Sequence, residues 1–192
     1  ASVFNRLCAW EWDTPLGLTK ACGGDALARL QALDEVTGFN PALIAGEEPE
    51  MCVRLRQKGW EIWRLDAEMT LHDAAITQFS QWWKRTRRGG HAAAEGMALH
   101  GGPPERHGVT TVRRALFWAG LVPGLSLAGL FAIGPAALLL LLLYPLQIVR
   151  LALRDGGNRD AWERALYLTL GKFAELSGMI GYWMGRGTRR PV

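Results

Sequence analysis

AGEEPEMCVRLRQKGW, residues 45–60, sets three acids, Glu47, Glu48 and Glu50, at the start of a short amphipathic segment that closes on Gly59. The spacing predicts a helix over about 49–58. Proline suits a first helical position because its φ is fixed and its missing N–H has no partner there anyway. Met51, Cys52 and Leu55 fall on the inward face, and Gly59 provides the stop. Residues 61–65 alternate polar and apolar side chains, the pattern of a strand.

Towards the N-terminus, Ala26, Leu27, Leu30 and Leu33 recur at helical spacing, so residues 25–36 read as a helix, with Gly38-Phe39-Asn40-Pro41 ending it. A second extended run covers residues 69–72. Residues 1–75 therefore read as soluble α/β material. The chain begins at Ala1 with no methionine and no signal peptide, which suggests a fragment whose preceding part is missing.

Towards the C-terminus the character changes. In residues 76–108, Phe79, Trp82, Trp83 and Thr86 lie near one helical face among Lys84, Arg85, Arg87 and Arg88. Such a basic, aromatic segment suits the headgroup layer of a bilayer. Gly89-Gly90 is expected to bend or end it, and Gly101-Gly102-Pro103-Pro104 to act as a linker. Residues 115–149 contain no Asp, Glu, Lys or Arg. As one helix they would run about 52 Å, against a hydrocarbon core of about 30 Å. Gly134-Pro135 falls near the middle, so residues 109–154 read as a transmembrane hairpin with spans near 115–132 and 136–153. Arg113 and Arg114 before it and Arg150 and Arg154 after it place both outer ends in the cytoplasm, in an inner or plasma membrane. In residues 155–192, Trp162, Leu166, Phe173, Leu176, Ile180 and Trp183 form a stripe at helical spacing. Arg164, Lys172 and Glu175 favour an interfacial or re-entrant helix over a third span. Arg186, Arg189 and Arg190 form a basic tail.

Composition agrees with a division into polar and apolar parts. Mean hydropathy is +0.02 although 21% of residues are charged, so the apolar residues are concentrated. The net charge of +4 fits an anionic membrane surface. Nucleic-acid binding is set aside because the basic patch adjoins bilayer-like segments. Nine tryptophans suit membrane interfaces. Cys8, Cys22 and Cys52 are odd in number and include no CxxC pair, which argues against a disulfide framework or a zinc site and for reduced cytosolic thiols. His91 and Glu95 are four apart, with His100 and His107 following, but glycines interrupt any metal-ligand spacing.

The acids admit two readings. Carboxylates near a helix N-terminus are stabilised by its dipole, about 0.3–1 kcal/mol each, and Glu50 can pair with Arg54 one turn on. Alternatively, one carboxylate is a general base at the lip of a cleft, taking the proton of an attacking hydroxyl. Gly23-Gly24-Asp25 reads as a turn with a helix cap, since Asp caps well.

The run from Cys22 to Asp73 resembles the C-terminal half of the catalytic domain of family 2 glycosyltransferases. The matching pieces are Gly23-Gly24-Asp25, Thr37-Gly38-Phe39-Asn40, Glu47-Glu48, the helix from Arg54 to Gly59-Trp60, and His72. The resemblance covers roughly residues 20–75. It implies half of a GT-A-like, Rossmann-like domain, followed by the interfacial segment and the membrane hairpin. It also implies an inverting transfer from a nucleotide-sugar donor to a lipid-linked or polysaccharide acceptor.

The family's base matches Glu48, with Glu47 and Glu50 beside it. Gly23, Gly24 and Asp25 would shape the acceptor side, and Trp82 and Arg85 would seat the domain on the bilayer beside a lipid acceptor. The resemblance further implies Mg²⁺ or Mn²⁺, approached by His72. The family's Asp-x-Asp metal motif does not occur here, so the main ligands are expected outside this chain. The processive members' Gln-x-x-Arg-Trp is matched only by Gln78-Phe79-Ser80-Gln81-Trp82, with Gln81 where Arg is expected. The rival reading, from another class, is a non-catalytic membrane-anchoring or interaction module.

Overall fold

The computed structural model describes residues 2–67, 70 and 75–186. Of these, 68% are helical and 3% lie in strands. The elements run α1 (Val3–Trp12), β1 (Gly17–Thr19), α2 (Leu30–Glu35), α3 (Glu47–Gln57), β2 (Ile62–Arg64), α4 (Phe79–His100), α5 (Val109–Ala115), α6 (Val122–Ile133), α7 (Leu143–Arg154) and α8 (Arg159–Arg186). A π-helical turn, Leu116–Leu121, joins α5 to α6, and a 3-10 segment, Pro135–Leu142, leads into α7.

The expectation of an α/β, Rossmann-like half domain is overturned. The strand foreseen at 61–65 forms as β2, but it pairs antiparallel with β1 (Thr19 opposite Ile62) in a two-stranded ribbon. A parallel sheet needs several near-continuous Val/Ile-rich runs, buried on both faces by crossover helices. Outside the hairpin this chain has no such runs. Its apolar residues there are mainly Leu, Ala and Trp at helical spacing. The helix foreseen over 25–36 is shorter than expected. Ala32 and Val36 pack on Met51 and Leu55 of α3, whereas Leu27 is 96% exposed. The helix persists only where α3 covers it, because a short helix owes its stability to such packing.

The main core lies where α4, α5 and α8 cross. Ala94, Val112, Ala115, Met179 and Tyr182 are buried together there. Gly89-Gly90 does not end α4, which runs unbroken for 22 residues. A Cβ on Gly90 would strike the Glu175 backbone of α8, and one on Gly178 would strike the Arg87 backbone of α4. The glycines are the close-approach points of the crossing. At the start of α4, Phe4, Trp82 and Tyr167 form an aromatic cluster joining α1, α4 and α8, with Tyr167 edge-on to the other two rings.

Val109–Ile133 and Pro135–Arg154 are each long and apolar enough to cross a membrane, close to the two spans expected. Only 17% and 11% of their most apolar windows are buried, unlike the core helices of a soluble protein. The chain reverses at Gly134, whose φ of +84° suits glycine. The π-helical turn precedes Pro123. The proline ring removes one helical donor and crowds the carbonyl four residues back, and a wider turn accommodates both.

Of the stripe foreseen on α8, Trp162, Leu166, Ile180 and Trp183 are 38–47% exposed, whereas Phe173 and Leu176 are half-buried, Leu176 against the core shared with α4 and α5. The buried face is made of Ala161, Ala165, Thr169 and Ala174 with Met179 and Tyr182, small residues predominating. Small residues on the buried face let α8 approach α4 closely.

Candidate functional site

Helix α3 is entered through Gly46, whose φ is +79°. A Cβ there would press on the Ala92 side chain of α4 at 2.9 Å. The helix starts two residues earlier than expected, so Glu47 and Glu48 fall inside its first turn and Pro49 occupies the third position. The three acids then meet three different environments.

Glu47 is half-buried at the first helical position. Glu48 meets the loop that follows β1. Its Oε1 accepts the Cys22 backbone N–H at 2.6 Å and the Cys52 thiol at 3.1 Å. The Cys22 and Cys52 sulfurs are 3.6 Å apart. The Cys52 thiol is pushed well above its usual range, first by its contact with Cys22, then by burial and by the Glu48 carboxylate.

Glu50 is 3% exposed and fully engaged. Arg54 donates to it from Nε at 2.9 and 3.0 Å and from a terminal nitrogen at 2.8 Å, and His100 Nε2 lies 2.9 Å away. Arg54 also donates to the Gly38 carbonyl at 2.8 Å and to the Val36 carbonyl. The cluster ties α2, α3 and the end of α4 together. Burial pushes the Glu50 carboxyl up, but its bonds to Arg54 and His100 outweigh that and hold it below the ordinary carboxylate range.

A cavity of about 230 Å³ opens on the same side of α3. Its lining includes Lys20, Ala21, Pro49, Arg56, Glu105 and His107. Ala21 and Pro49 are the chain neighbours of Cys22 and Glu48, so the carboxylate sits beside this space rather than in its wall. Arg56 bonds Glu105 at 2.5 and 3.2 Å and fixes the loop between α4 and α5 over the cavity. His107 is depressed below its usual range, by burial first and then by the neighbouring charges of His100 and Arg56.

The other expected site residues divide. The structure brings the Gly23-Gly24 turn beside Glu48 through Cys22, and both glycines are exposed. Asp25 caps no helix; its Oδ2 accepts the Thr70 hydroxyl at 2.5 Å. Trp82 is buried in the aromatic cluster, 6% exposed, so its ring meets protein side chains. Arg85 pairs with Glu11 of α1 at 2.5 Å. Both stand well away from Glu48, since Ala92, the residue of α4 that meets Gly46, is about 15 Å along the helix from Trp82 and about 10 Å from Arg85. His72 lies outside the described residues.

Sequence reasoning missed Cys22, Cys52 and His100. The signal for Cys52 was present, since Glu48 and Cys52 are one helical turn apart and so share a face. Cys22 and His100 are brought in by the tertiary fold.

Mg²⁺ and Mn²⁺ prefer all-oxygen ligation. Among the described residues, the group able to hold a metal is Cys22, Glu48 and Cys52, which offers two sulfurs and one oxygen. No protein-family model, curated protein or solved structure matches the chain.

Proposed function

We propose that the chain is the Glu48-bearing, membrane-attached part of an inverting glycosyltransferase. The donor is a nucleotide sugar and the acceptor a lipid-linked or polysaccharide hydroxyl. The observation that carries the reading is the 2.6 Å bond from Cys22 N–H to Glu48, which sets the Gly23-Gly24 turn against the acidic helix start 26 residues on. These are the two motif pieces that the family resemblance assigns to one cleft, and they do not require a Rossmann-like sheet to meet. In the transfer, Glu48 takes the proton of the acceptor hydroxyl. The acceptor oxygen bonds to the anomeric carbon from the face opposite the leaving group. The bond to the nucleoside diphosphate oxygen breaks, and its electron pair leaves with the diphosphate.

The two apolar helices, with Arg113, Arg114, Arg150 and Arg154 at their outer ends, support an inner or plasma membrane location with residues 1–78 on the cytoplasmic side. A lipid-linked acceptor would then present its polar end beside α3.

The rival, a membrane-anchoring module without catalysis, draws support from Glu50. That acid is wholly used in holding α2, α3 and α4 together, a structural role. A panel of radiolabelled nucleotide sugars, given to membranes containing the intact enzyme, separates the two. Label passing from one donor into lipid or polymer supports the transferase. No transfer from any donor, with membrane insertion intact, supports the anchor.

A further inference from the structure

We propose that Cys22, Glu48 and Cys52 form a three-ligand site for a thiophilic divalent cation such as zinc. Their ligand atoms lie within 4.8 Å of one another, and they come from two segments, the loop after β1 and one face of α3. The geometry suits a single small ion. With zinc–sulfur bonds of about 2.3 Å, two sulfurs of a tetrahedral site stand about 3.8 Å apart, and a sulfur and a carboxylate oxygen about 3.5 Å. The sulfurs here are 3.6 Å apart, and Cys52 Sγ is 3.1 Å from Glu48 Oε1. A disulfide would need the sulfurs about 2.05 Å apart, a far larger movement.

The chemistry also suits a cation. Two thiols and a carboxylate share one small space. A bound cation favours the thiolate form of both cysteines and offsets the repulsion among the three anionic groups. The one-turn spacing of Glu48 and Cys52 lets a single rigid helix supply two ligands. The Cys22 N–H already orients the carboxylate, the part played by outer-shell donors around metals. Three protein ligands leave one position for water or another group. Two sulfurs exclude a preference for magnesium or manganese.

The inference does not depend on the transferase reading, since its test reads binding alone. The full chain, reduced and in detergent, is dialysed against zinc, and separately titrated with cobalt(II). The expected result is one zinc per chain and a cobalt–thiolate charge-transfer band in the near ultraviolet. Cys22→Ser, on a half-buried loop, should cut that band to about half or less and weaken zinc, since one of two thiolate ligands is lost. Glu48→Gln should weaken zinc while keeping the thiolate band. Cys8→Ser, which alters a cysteine buried on α1, should change neither. Circular dichroism of Cys22→Ser checks that the fold persists; Cys52→Ser is the second variant. Absence of stoichiometric zinc in the reduced chain, or a cobalt band untouched by Cys22→Ser and Cys52→Ser, would overturn the proposal.

Discussion

Cys22 donates its backbone N–H to the Glu48 carboxylate across 26 residues of sequence, at 2.6 Å. That bond fixes the loop after β1 against the first turn of α3. It brings a thiol, a carboxylate and the Gly23-Gly24 turn into one neighbourhood. The neighbouring acid Glu50 points the other way, into Arg54 and His100. Two carboxylates two residues apart therefore have separable roles, and variants can tell them apart.

Glu50→Ala should destabilise the fold by about 3–5 kcal/mol, because it removes the buried carboxylate that pairs with both Arg54 and His100. Chemical denaturation in detergent measures this. Arg54→Ala should cost a similar amount, and the double variant should cost less than the two together.

The pH dependence follows in sign. In the fold the Glu50 carboxyl is held below its ordinary value of 4.5. The stabilisation is thus fully present above the ordinary carboxylate range. It is lost as pH falls from there through the depressed folded-state value. Denaturation curves of the wild type should steepen towards instability in that acid window, and those of Glu50→Gln should do so less.

Gly89 and Gly90 should respond oppositely to alanine. Nothing lies within 4 Å of a Cβ at Gly89, so Gly89→Ala should stabilise α4 by about 0.5–1 kcal/mol. Gly90→Ala drives a methyl into the Glu175 backbone and should destabilise by about 1–3 kcal/mol. Melting temperatures of the two variants would rank them on either side of the wild type.

Much of the helical architecture was legible in the sequence, because an apolar block without charges and a Gly-Pro break admit few structures. The hairpin and its turn at Gly134 followed from that. The sheet did not, because alternation at 61–65 marks a strand without saying what it pairs with. The stripe on α8 was legible as a helix, but which of its members meet α4 and α5 was not, because helical spacing does not say what packs against a face. Gly90 looked like a helix breaker because the backbone of α8 that needs the space is some eighty residues away. Of the site, the acids were visible, but their separate roles were not. Those roles depend on Cys22 and His100, brought in by the tertiary fold.

Topology is checked with single cysteines and a membrane-impermeant thiol reagent, in a background lacking the native cysteines. Ile133→Cys, at the hairpin turn, should label only from the outer side, and Asn158→Cys, beyond α7, only from the cytoplasmic side. Labelling of both positions from the same side would rule out the hairpin.

The most direct measurement is the rate of sugar transfer by Glu48→Gln in membranes, on the donor that serves the wild type, beside its unfolding curve. The account predicts a loss of about 10²–10⁴-fold with an unchanged curve and unchanged membrane insertion. Wild-type turnover by a folded Glu48→Gln protein would contradict it.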